Sequence, residues 1–379
     1  MIFTSLFKKK YRHLNKILIN QTALEKNHQT LQAFHKEATI VPVLKSNAYG
    51  HGLKTVAPIF DALDPEFLVV DSLYEAYELY KLKVRSKILI LGYTHPDNYS
   101  VKQLPFHLTI FDLETAKMLN RHQKNCNVHI FVDTGMCREG VPIRELRAFT
   151  RQVKKLANLS IVGLASHLAD ADNPTEGSFT LKQIATYKKA LAILKDEGIF
   201  PNYRHISASG GAFKIKEPLF NMIRAGLASY GINPLESSDP EFRTLSLQPI
   251  LQLVSTLAQI KTVYKGEKIG YNGTFTVNKT MTIGLLPLGY YEGVDRRLSN
   301  KGVVVIRDTV CPIVGRVSMN MTSIDVSGVN NPTVGDTVSI YGNNDQRNNI
   351  VKAAKTAGTI PYELLVHLSE SLRREVIGD

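Results

Sequence analysis

The sequence is most informative at residues 40–52, which read Ile40-Val41-Pro42-Val43-Leu44-Lys45-Ser46-Asn47-Ala48-Tyr49-Gly50-His51-Gly52. The first five residues form a short, continuous apolar run, which is typical of a parallel strand buried on both faces. Lys45 ends this run, and a polar turn follows it at once. Because residues that follow parallel strands collect at one end of the sheet, we expect Lys45 to lie in a functional cleft.

Similar apolar runs recur along the first part of the chain, separated by amphipathic helical patterns such as Leu73–Tyr80 and Leu181–Lys195. The runs that we interpret as strands are residues 40–44, 67–70, 88–91, 108–111, 128–132, 161–165, 203–206 and 222–224. Right-handed crossovers can close such a rhythm into a (β/α)8 TIM-type barrel. A doubly wound open sheet has the same rhythm, so periodicity alone leaves both architectures open.

The pattern changes after Asn233-Pro234, where β-rich runs alternate with Gly, Asn, Asp and Pro. The sequence therefore predicts a barrel domain over residues 12–240 and a mainly β domain over residues 241–379, on which residues 1–20 pack. A final amphipathic segment, Pro361–Arg374, is predicted to be helical.

Composition narrows the function classes. The chain has 379 residues, of which 44% are hydrophobic and 21% charged, as in ordinary globular proteins. Because no apolar run approaches the roughly 20 residues that span a bilayer, we expect no membrane segment. The net charge of +12 is dispersed, which argues against nucleic acid as a partner and favours small anionic ligands.

Two features indicate the cytoplasm as the compartment. The apolar stretch at residues 1–7 is too short for a secretion signal, and its lysines follow it instead of preceding it. The three cysteines, Cys126, Cys137 and Cys311, are an odd number without metal-ligand spacing, which suits a reducing environment. We expect no metal site.

The position of Lys45 would allow a specific reaction. A lysine at a barrel mouth that is partly removed from water has a lowered pKa and can form a Schiff base. A single lysine at a strand end is more often an ordinary surface residue. The surrounding motif decides between the two.

That motif closely resembles the segment by which alanine racemases attach pyridoxal phosphate (PLP). Four further segments resemble the same family in the same order: Val132–Arg138, Ser166–Asp172, His205–Ser209 and Ile223–Gly226. Each follows a predicted strand, so the segments converge on one mouth in a barrel, which favours the barrel over the open sheet. The resemblance runs from about Leu14 to Arg374.

The resemblance implies roles for individual residues. Lys45 would carry the PLP cofactor and act as one catalytic base. The cofactor's phosphate would be held by Tyr49, Ser209, Gly226, Leu227 and Tyr362. Arg224 would face the pyridine nitrogen, with His167 orienting Arg224, and Arg138 would bind both the phenolic oxygen and the substrate.

The resemblance also assigns a second base, because racemisation needs a proton acceptor on each face of the substrate. Tyr271 would supply it, and its pKa would be lowered by positive charge from Arg138 or from an arginine-bound histidine. Met319 would receive the substrate carboxylate and Tyr290 would line the entrance. In such enzymes Tyr271 and Met319 reach the other subunit's cofactor, which implies a head-to-tail homodimer with shared active sites.

Several positions depart from the family pattern. Phe131 stands where many members have a lysine, often carbamylated, that supports the arginine matching Arg138. A phenylalanine cannot do this, so either another anion holds Arg138 or Arg138 is held less firmly. The remaining departures lie near the substrate path and are Ala208, Tyr291, Glu292 and Asn320.

The leading hypothesis is a racemase that interconverts L-alanine and D-alanine, which would supply D-alanine for peptidoglycan. Serine or another small amino acid is the alternative substrate, because one methylene changes discrimination by only about 1–3 kcal/mol. A non-catalytic PLP carrier is a rival, but the related carriers consist of a barrel alone. A decarboxylase with the same two domains is a third possibility, although such enzymes place a carboxylate at the pyridine nitrogen.

Overall fold

The computed structural model describes residues 12–173, 177–215, 219–342 and 347–378. Residues 1–7, where we expect no secretion signal, lie outside the described residues. The chain divides into two compact units. We call residues 20–250 the barrel unit, and residues 12–19 together with 251–377 the β unit.

The strands and helices alternate in the barrel unit, whereas strands dominate the β unit. In chain order the strands are β1 (Lys16–Asn20), β2 (Thr39–Pro42), β3 (Phe67–Val70), β4 (Lys87–Ile90), β5 (His107–Ile110), β6 (Cys126–Asp133), β7 (Val141–Pro142), β8 (Leu159–Ala165), β9 (Tyr203–His205), β10 (Met222–Ala225), β11 (Leu251–Thr256), β12 (Gln259–Val263), β13 (Lys268–Ile269), β14 (Phe275–Thr276), β15 (Met281–Leu286), β16 (Val303–Ile306), β17 (Thr309–Pro312), β18 (Thr322–Asp325), β19 (Thr337–Tyr341) and β20 (Arg373–Ile377).

The α-helices are Gln21–Phe34, Leu53–Ala62, Leu73–Lys81, Leu113–His122, Leu146–Val153, Ser178–Asp196, Ser209–Lys214, Ile350–Ala357 and Pro361–Val366. Short 3-10 segments occur at Pro96–Ser100, Leu227–Tyr230, Pro240–Arg243, Tyr271–Gly273 and Arg296–Leu298. Residues Lys45–Tyr49 form a separate turn that is described with the site.

The barrel is closed by parallel strands in the order β2-β3-β4-β5-β6-β8-β9-β10, with β10 pairing again with β2. The joint between β2 and β3 is made where the Leu44 N–H donates to the Val69 carbonyl at 2.7 Å. The joint between β9 and β10 is made where the Arg224 N–H donates to the Ser207 carbonyl at 3.1 Å. The predicted (β/α)8 barrel is confirmed, and the open sheet is wrong.

Local sequence explains the alternation. All four residues of β3 are buried, as expected for a strand covered on both faces. The next helix, Leu73–Lys81, is capped by Ser72, whose hydroxyl accepts the Glu75 N–H while the Glu75 carboxylate accepts the Ser72 N–H, a capping box. After β4, in contrast, the described chain contains only the 3-10 segment Pro96–Ser100 before β5.

The β unit contains a six-stranded sheet in the order β17-β16-β19-β11-β1-β20 and a three-stranded sheet in the order β12-β15-β18. Strand β1, which precedes the barrel in the chain, pairs antiparallel with β11. Ile17 and Ile19 of β1 are fully buried. The unit boundaries therefore fall at residues 19/20 and 250/251, compared with the domain boundary predicted after residue 240.

The predicted helix Pro361–Arg374 is wrong in its second half. The helix ends at Val366, and residues Arg373–Ile377 form strand β20 beside β1. The Lys16 ammonium contacts the Glu375 carboxylate at 3.1 Å across these strands. This pairing joins residues at opposite ends of the chain, so local periodicity could not indicate it. In the part of the chain that the structure describes, no helix is long and apolar enough to span a membrane.

Candidate active site

Lys45 opens a turn with an unusual backbone. Ser46, Asn47, Ala48 and Tyr49 all have φ between 51° and 55°, so four successive non-glycine residues are left-handed. This conformation costs roughly 1–2 kcal/mol per residue, and such strain concentrates at functional sites. Besides backbone hydrogen bonds, side-chain acceptors hold it: the Glu75 carboxylate accepts the Ser46 N–H at 2.6 Å, and Asn47 Oδ1 accepts the Leu53 N–H at 2.7 Å.

The Lys45 ammonium lies at the carboxyl end of β2, where the sequence placed it. Its Nζ atom is 3.6 Å from the carboxylate of Asp71, and 39% of the side chain is exposed. Asp71 follows the buried strand β3 at the same end of the barrel. Sequence reasoning missed Asp71, although a carboxylate directly after a buried strand was a usable signal.

Arg224 is the largest side chain that is fully buried, with an exposed fraction of 2%. Its guanidinium donates to His205 Nδ1 at 2.6 Å, to the Ser166 carbonyl at 2.7 Å and to His167 Nδ1 at 3.1 Å. All of these acceptors are uncharged when the imidazoles are neutral. Burial lowers the pKa of Arg224 to about 10, so the side chain keeps its charge at neutral pH.

The pKa of His167, the residue that the sequence assigned to orient Arg224, is strongly lowered. Burial, followed by the charges of Arg224, Arg138 and Lys45, lowers its pKa to about 3. The imidazole is therefore neutral at physiological pH. A neutral His167 supplies no positive charge to its surroundings.

Ser209, Gly226 and Tyr49 come together at the ends of β9, β10 and β2. Ser209 Oγ accepts the backbone N–H groups of Gly226 at 3.0 Å and Ala228 at 3.2 Å, on either side of Leu227. A Cβ atom on Gly226 would lie 2.6 Å from the Tyr49 hydroxyl oxygen, so only glycine leaves this space open. We call these groups the anion cradle, because hydroxyls and N–H groups beside a glycine suit a phosphate.

Arg138 lies after β6 and forms a bidentate ion pair with Glu139, its neighbour in sequence. Arg138 Nη2 is 2.7 Å from Glu139 Oε1, and Nε contacts Oε2. The hydrogen bonds from Arg138 hold the pKa of Glu139 below its usual range. Phe131 is buried in β6 and offers no polar atom. Of the two alternatives left open for Arg138, the structure therefore places another anion on it.

The remaining predicted residues lie in the β unit. Tyr271 begins the 3-10 turn Tyr271–Gly273 and is 69% exposed. Tyr290 and Met319 lie in adjoining loops, since the Tyr290 N–H donates to the Ser318 carbonyl at 3.0 Å. Both are exposed, by 43% and 55%. Tyr362 lies in the helix Pro361–Val366.

Two of the departures from the family pattern contact each other. The Asn320 side-chain amide donates to Glu292 Oε1 at 2.8 Å, and the Gly289 N–H donates to Glu292 Oε2 at 2.7 Å. An amide at position 320 can donate to this carboxylate, whereas an ionised aspartate could not. The Asn320–Glu292 contact thus joins residue 320 to the loop that carries Tyr290.

Comparison with known proteins covers both units. The family profile described as "Alanine racemase, N-terminal domain" matches residues 19–234, and "Alanine racemase, C-terminal domain" matches residues 250–376. The alanine racemase of Geobacter sulfurreducens is 35% identical over 368 residues, which cover 94% of this chain and 95% of the relative.

Solved structures agree with this likeness. The alanine racemase of Clostridium difficile superposes with a TM-score of 0.90 at 28% identity, covering 98% of this chain and 97% of the other. That of Bartonella henselae, which contains covalently bound pyridoxal phosphate, has a TM-score of 0.83 at 25% identity, covering 97% of this chain and 100% of the other. With both family profiles matched in order along a closed barrel and a β unit, the chain belongs to the alanine racemase family.

Proposed function

We propose that this protein is a PLP-dependent isomerase that interconverts L-alanine and D-alanine. The observation that carries the proposal is the placement of Lys45 and the buried Arg224 at the same end of the barrel. Lys45 follows β2, Arg224 lies on β10, and these strands are hydrogen-bonded neighbours. Alanine as the substrate is supported by the name of the family and by relatives named alanine racemase that match most of the chain.

The residues present fit PLP. The anion cradle offers the Ser209 hydroxyl, the Tyr49 hydroxyl and the backbone from Gly226 to Leu227 to the phosphate, with Tyr362 as a further contact. The Lys45 side-chain amine, once it has lost a proton, would hold the aldehyde end. The covalently bound PLP in the Bartonella henselae relative supports this assignment.

Arg224 would donate to the pyridine nitrogen of the cofactor. Because a guanidinium does not release its proton at physiological pH, Arg224 can only donate, and it leaves that nitrogen unprotonated. A ring with an unprotonated nitrogen withdraws electrons less strongly than a ring that a carboxylate partner keeps protonated. This favours simple return of the proton over transamination. His167 would support Arg224 as a neutral acceptor, in agreement with the 3.1 Å contact.

Two proton carriers complete the chemistry. PLP, when bound, accommodates the electron pair that remains on the substrate Cα after the proton leaves. Lys45 Nζ would take or return the proton on one face, and Tyr271 Oη on the other. Each must be able to hold a proton and release it within one turnover.

We propose that the active form is a homodimer with shared sites. Tyr271, Tyr290 and Met319 would complete the barrel site of the other subunit, with the Met319 backbone N–H receiving the substrate carboxylate. Their exposure supports this proposal, because large side chains on a free surface are typical of an interface. Cytoplasmic localisation and use of the product in peptidoglycan belong to the same proposal.

Arg138 would bind the phenolic oxygen of the cofactor and the substrate carboxylate. We propose that Glu139 keeps the guanidinium of Arg138 oriented for both contacts. In many family members a carbamylated lysine has this role, but Phe131 stands in its place here. The bidentate geometry supports this role, because it fixes the plane of the guanidinium.

A first prediction concerns the attachment residue. Lys45→Ala should abolish the visible absorption band of the protein-bound cofactor, because the amine that holds the aldehyde is gone. Lys54→Ala is the control, since Lys54 lies nearby on the exposed side of a helix and pairs with Glu78. An unchanged band in the Lys45 variant would contradict the attachment assignment.

A second prediction concerns the two faces. Tyr271→Phe should slow α-proton exchange from one alanine enantiomer by about 100-fold or more, and from the other far less, because one of two bases is removed. Exchange into heavy water, followed by NMR for each enantiomer, measures the effect. Tyr264→Phe changes another exposed tyrosine of the β unit and should have no effect. Equal slowing for both enantiomers would rule out a two-base site.

A third prediction tests Glu139. Glu139→Gln should raise the KM for alanine by about tenfold with a smaller change in kcat, because a freely rotating Arg138 binds the carboxylate less well. Glu145→Gln is a matched control, because Glu145 pairs with its neighbour Arg144 on the protein surface. If both variants behave like the parent protein, Glu139 has no positioning role.

A further inference from the structure

Three histidines form a continuous hydrogen-bonded column inside the barrel. His205 Nε2 lies 2.9 Å from His129 Nδ1, and His129 Nε2 lies 3.1 Å from His107 Nδ1. The column starts at Arg224, whose guanidinium contacts His205 Nδ1 at 2.6 Å, and ends at Asn127, whose side-chain amide lies 3.3 Å from His107 Nε2. The site described above uses only its first member.

The rings of the column are held by the barrel core. A Cβ atom on Gly163, which lies opposite His129 on β8, would be 2.1 Å from His129 Nδ1, so the ring occupies space that only glycine leaves. Tyr203 of β9, which pairs with Gly163, stacks on the His129 ring, with ring centroids 5.4 Å apart and planes at 12°. His129 and His205 are fully buried. These contacts fix the ring planes and therefore which nitrogen faces which partner.

The direction of every hydrogen bond follows from Arg224. A guanidinium has only donors, so His205 Nδ1 must be the acceptor and the proton of His205 must sit on Nε2. That N–H points at His129 Nδ1, which must accept, so the His129 proton also sits on Nε2. The same step assigns the His107 proton to Nε2. The opposite order would place an Nδ1–H of His205 against a guanidinium N–H.

We propose that His107, His129 and His205 are a column of neutral imidazoles, each protonated on Nε2, and that His129 and His107 are positioning residues for Arg224. They act by keeping His205 Nδ1 an acceptor. The inference rests on the proposed function only in the effect of Arg224 on catalysis. In the structure Asn127 Nδ2 faces His107 Nε2 at 3.3 Å. The proposed tautomer requires the opposite orientation of this amide, in which Asn127 Oδ1 accepts the Nε2–H of His107.

The charges around the column agree with neutral rings. A doubly protonated imidazole would turn an acceptor into a donor and add a positive charge beside the buried guanidinium. Burial lowers the pKa of His129 and His205 well below the usual value, and Arg224 adds to both effects. At the far end, burial and then the Lys87 ammonium lower the pKa of His107 to about 4, whereas the Glu66 carboxylate acts in the opposite direction.

Two other functions for the histidines are disfavoured. Among the described residues, no group of three or more His, Cys, Asp or Glu side chains is arranged to hold a metal ion. A proton path from the barrel floor to the site would have to pass through Arg224, which cannot give up a proton at physiological pH. Orientation of the guanidinium is the function that remains.

The direct test is nitrogen NMR of the purified protein supplied with PLP and carrying ¹⁵N-labelled histidine. The chain has 11 histidines, so single substitutions identify the signals of the three in the column. We expect all three to show a protonated Nε2 and a bare Nδ1. A protonated Nδ1 on any of them in the unsubstituted protein would overturn the proposal, whether or not the column variants fold.

Two variants at one position separate positioning from simple packing. His129→Asn keeps an oxygen near the place of Nδ1 that can accept from His205, whereas His129→Leu removes the acceptor. We expect His129→Leu to mix the His205 tautomers and to lower kcat about tenfold with little change in KM, and His129→Asn to stay within about twofold. Equal losses of kcat in both, or an unchanged His205 signal in His129→Leu, would refute the positioning role.

The control is His95→Leu, because His95 is exposed and lies outside the column. The two proposals fail separately. A protein that racemises no amino acid would contradict the proposed function and leave the tautomer pattern intact. An active protein with the wrong tautomers would contradict only the column.

Discussion

A buried guanidinium is the constraint on which much of the barrel depends. Arg224 brings a positive charge into the core, and its hydrogen bonds go to imidazoles and backbone carbonyls. Burying a charge is costly unless its donors are satisfied. The polar interior of the barrel, from His167 to His107, follows from this requirement, because every acceptor must remain neutral and correctly oriented. These acceptors fix the position of the guanidinium on β10.

The mouth also stores backbone strain. The left-handed turn from Ser46 to Tyr49 is unfavourable for each residue. It persists because the Glu75 carboxylate accepts the Ser46 N–H and because the Asn47 side chain accepts the Leu53 N–H at the start of the next helix. The turn fixes the positions of Lys45 and Tyr49, and it brings the Tyr49 hydroxyl close to Gly226. Strain, anion cradle and guanidinium thus form one connected arrangement around the ends of three neighbouring strands.

Much of this could be predicted from sequence. Strands such as Phe67–Val70 are apolar throughout because both faces are covered, and the motif around Lys45 carried the family resemblance. The left-handed turn could not be predicted, because Ser, Ala and Tyr have no preference for positive φ. The Arg138–Glu139 ion pair could not be predicted either, because neighbouring residues of opposite charge are common in any sequence. Strands β1 and β20 were missed because their pairing joins opposite ends of the chain, and a final helix was predicted too long for the same reason.

We expect the barrel mouth to remove and return the α-proton of alanine. The most direct measurement is α-proton exchange into heavy water, followed by NMR, for a panel of amino acids with the purified protein and added PLP. We expect exchange accompanied by inversion, fastest for alanine, with serine and larger amino acids slower. PLP bound without exchange of any amino acid would contradict the claim and favour a non-catalytic PLP-binding protein.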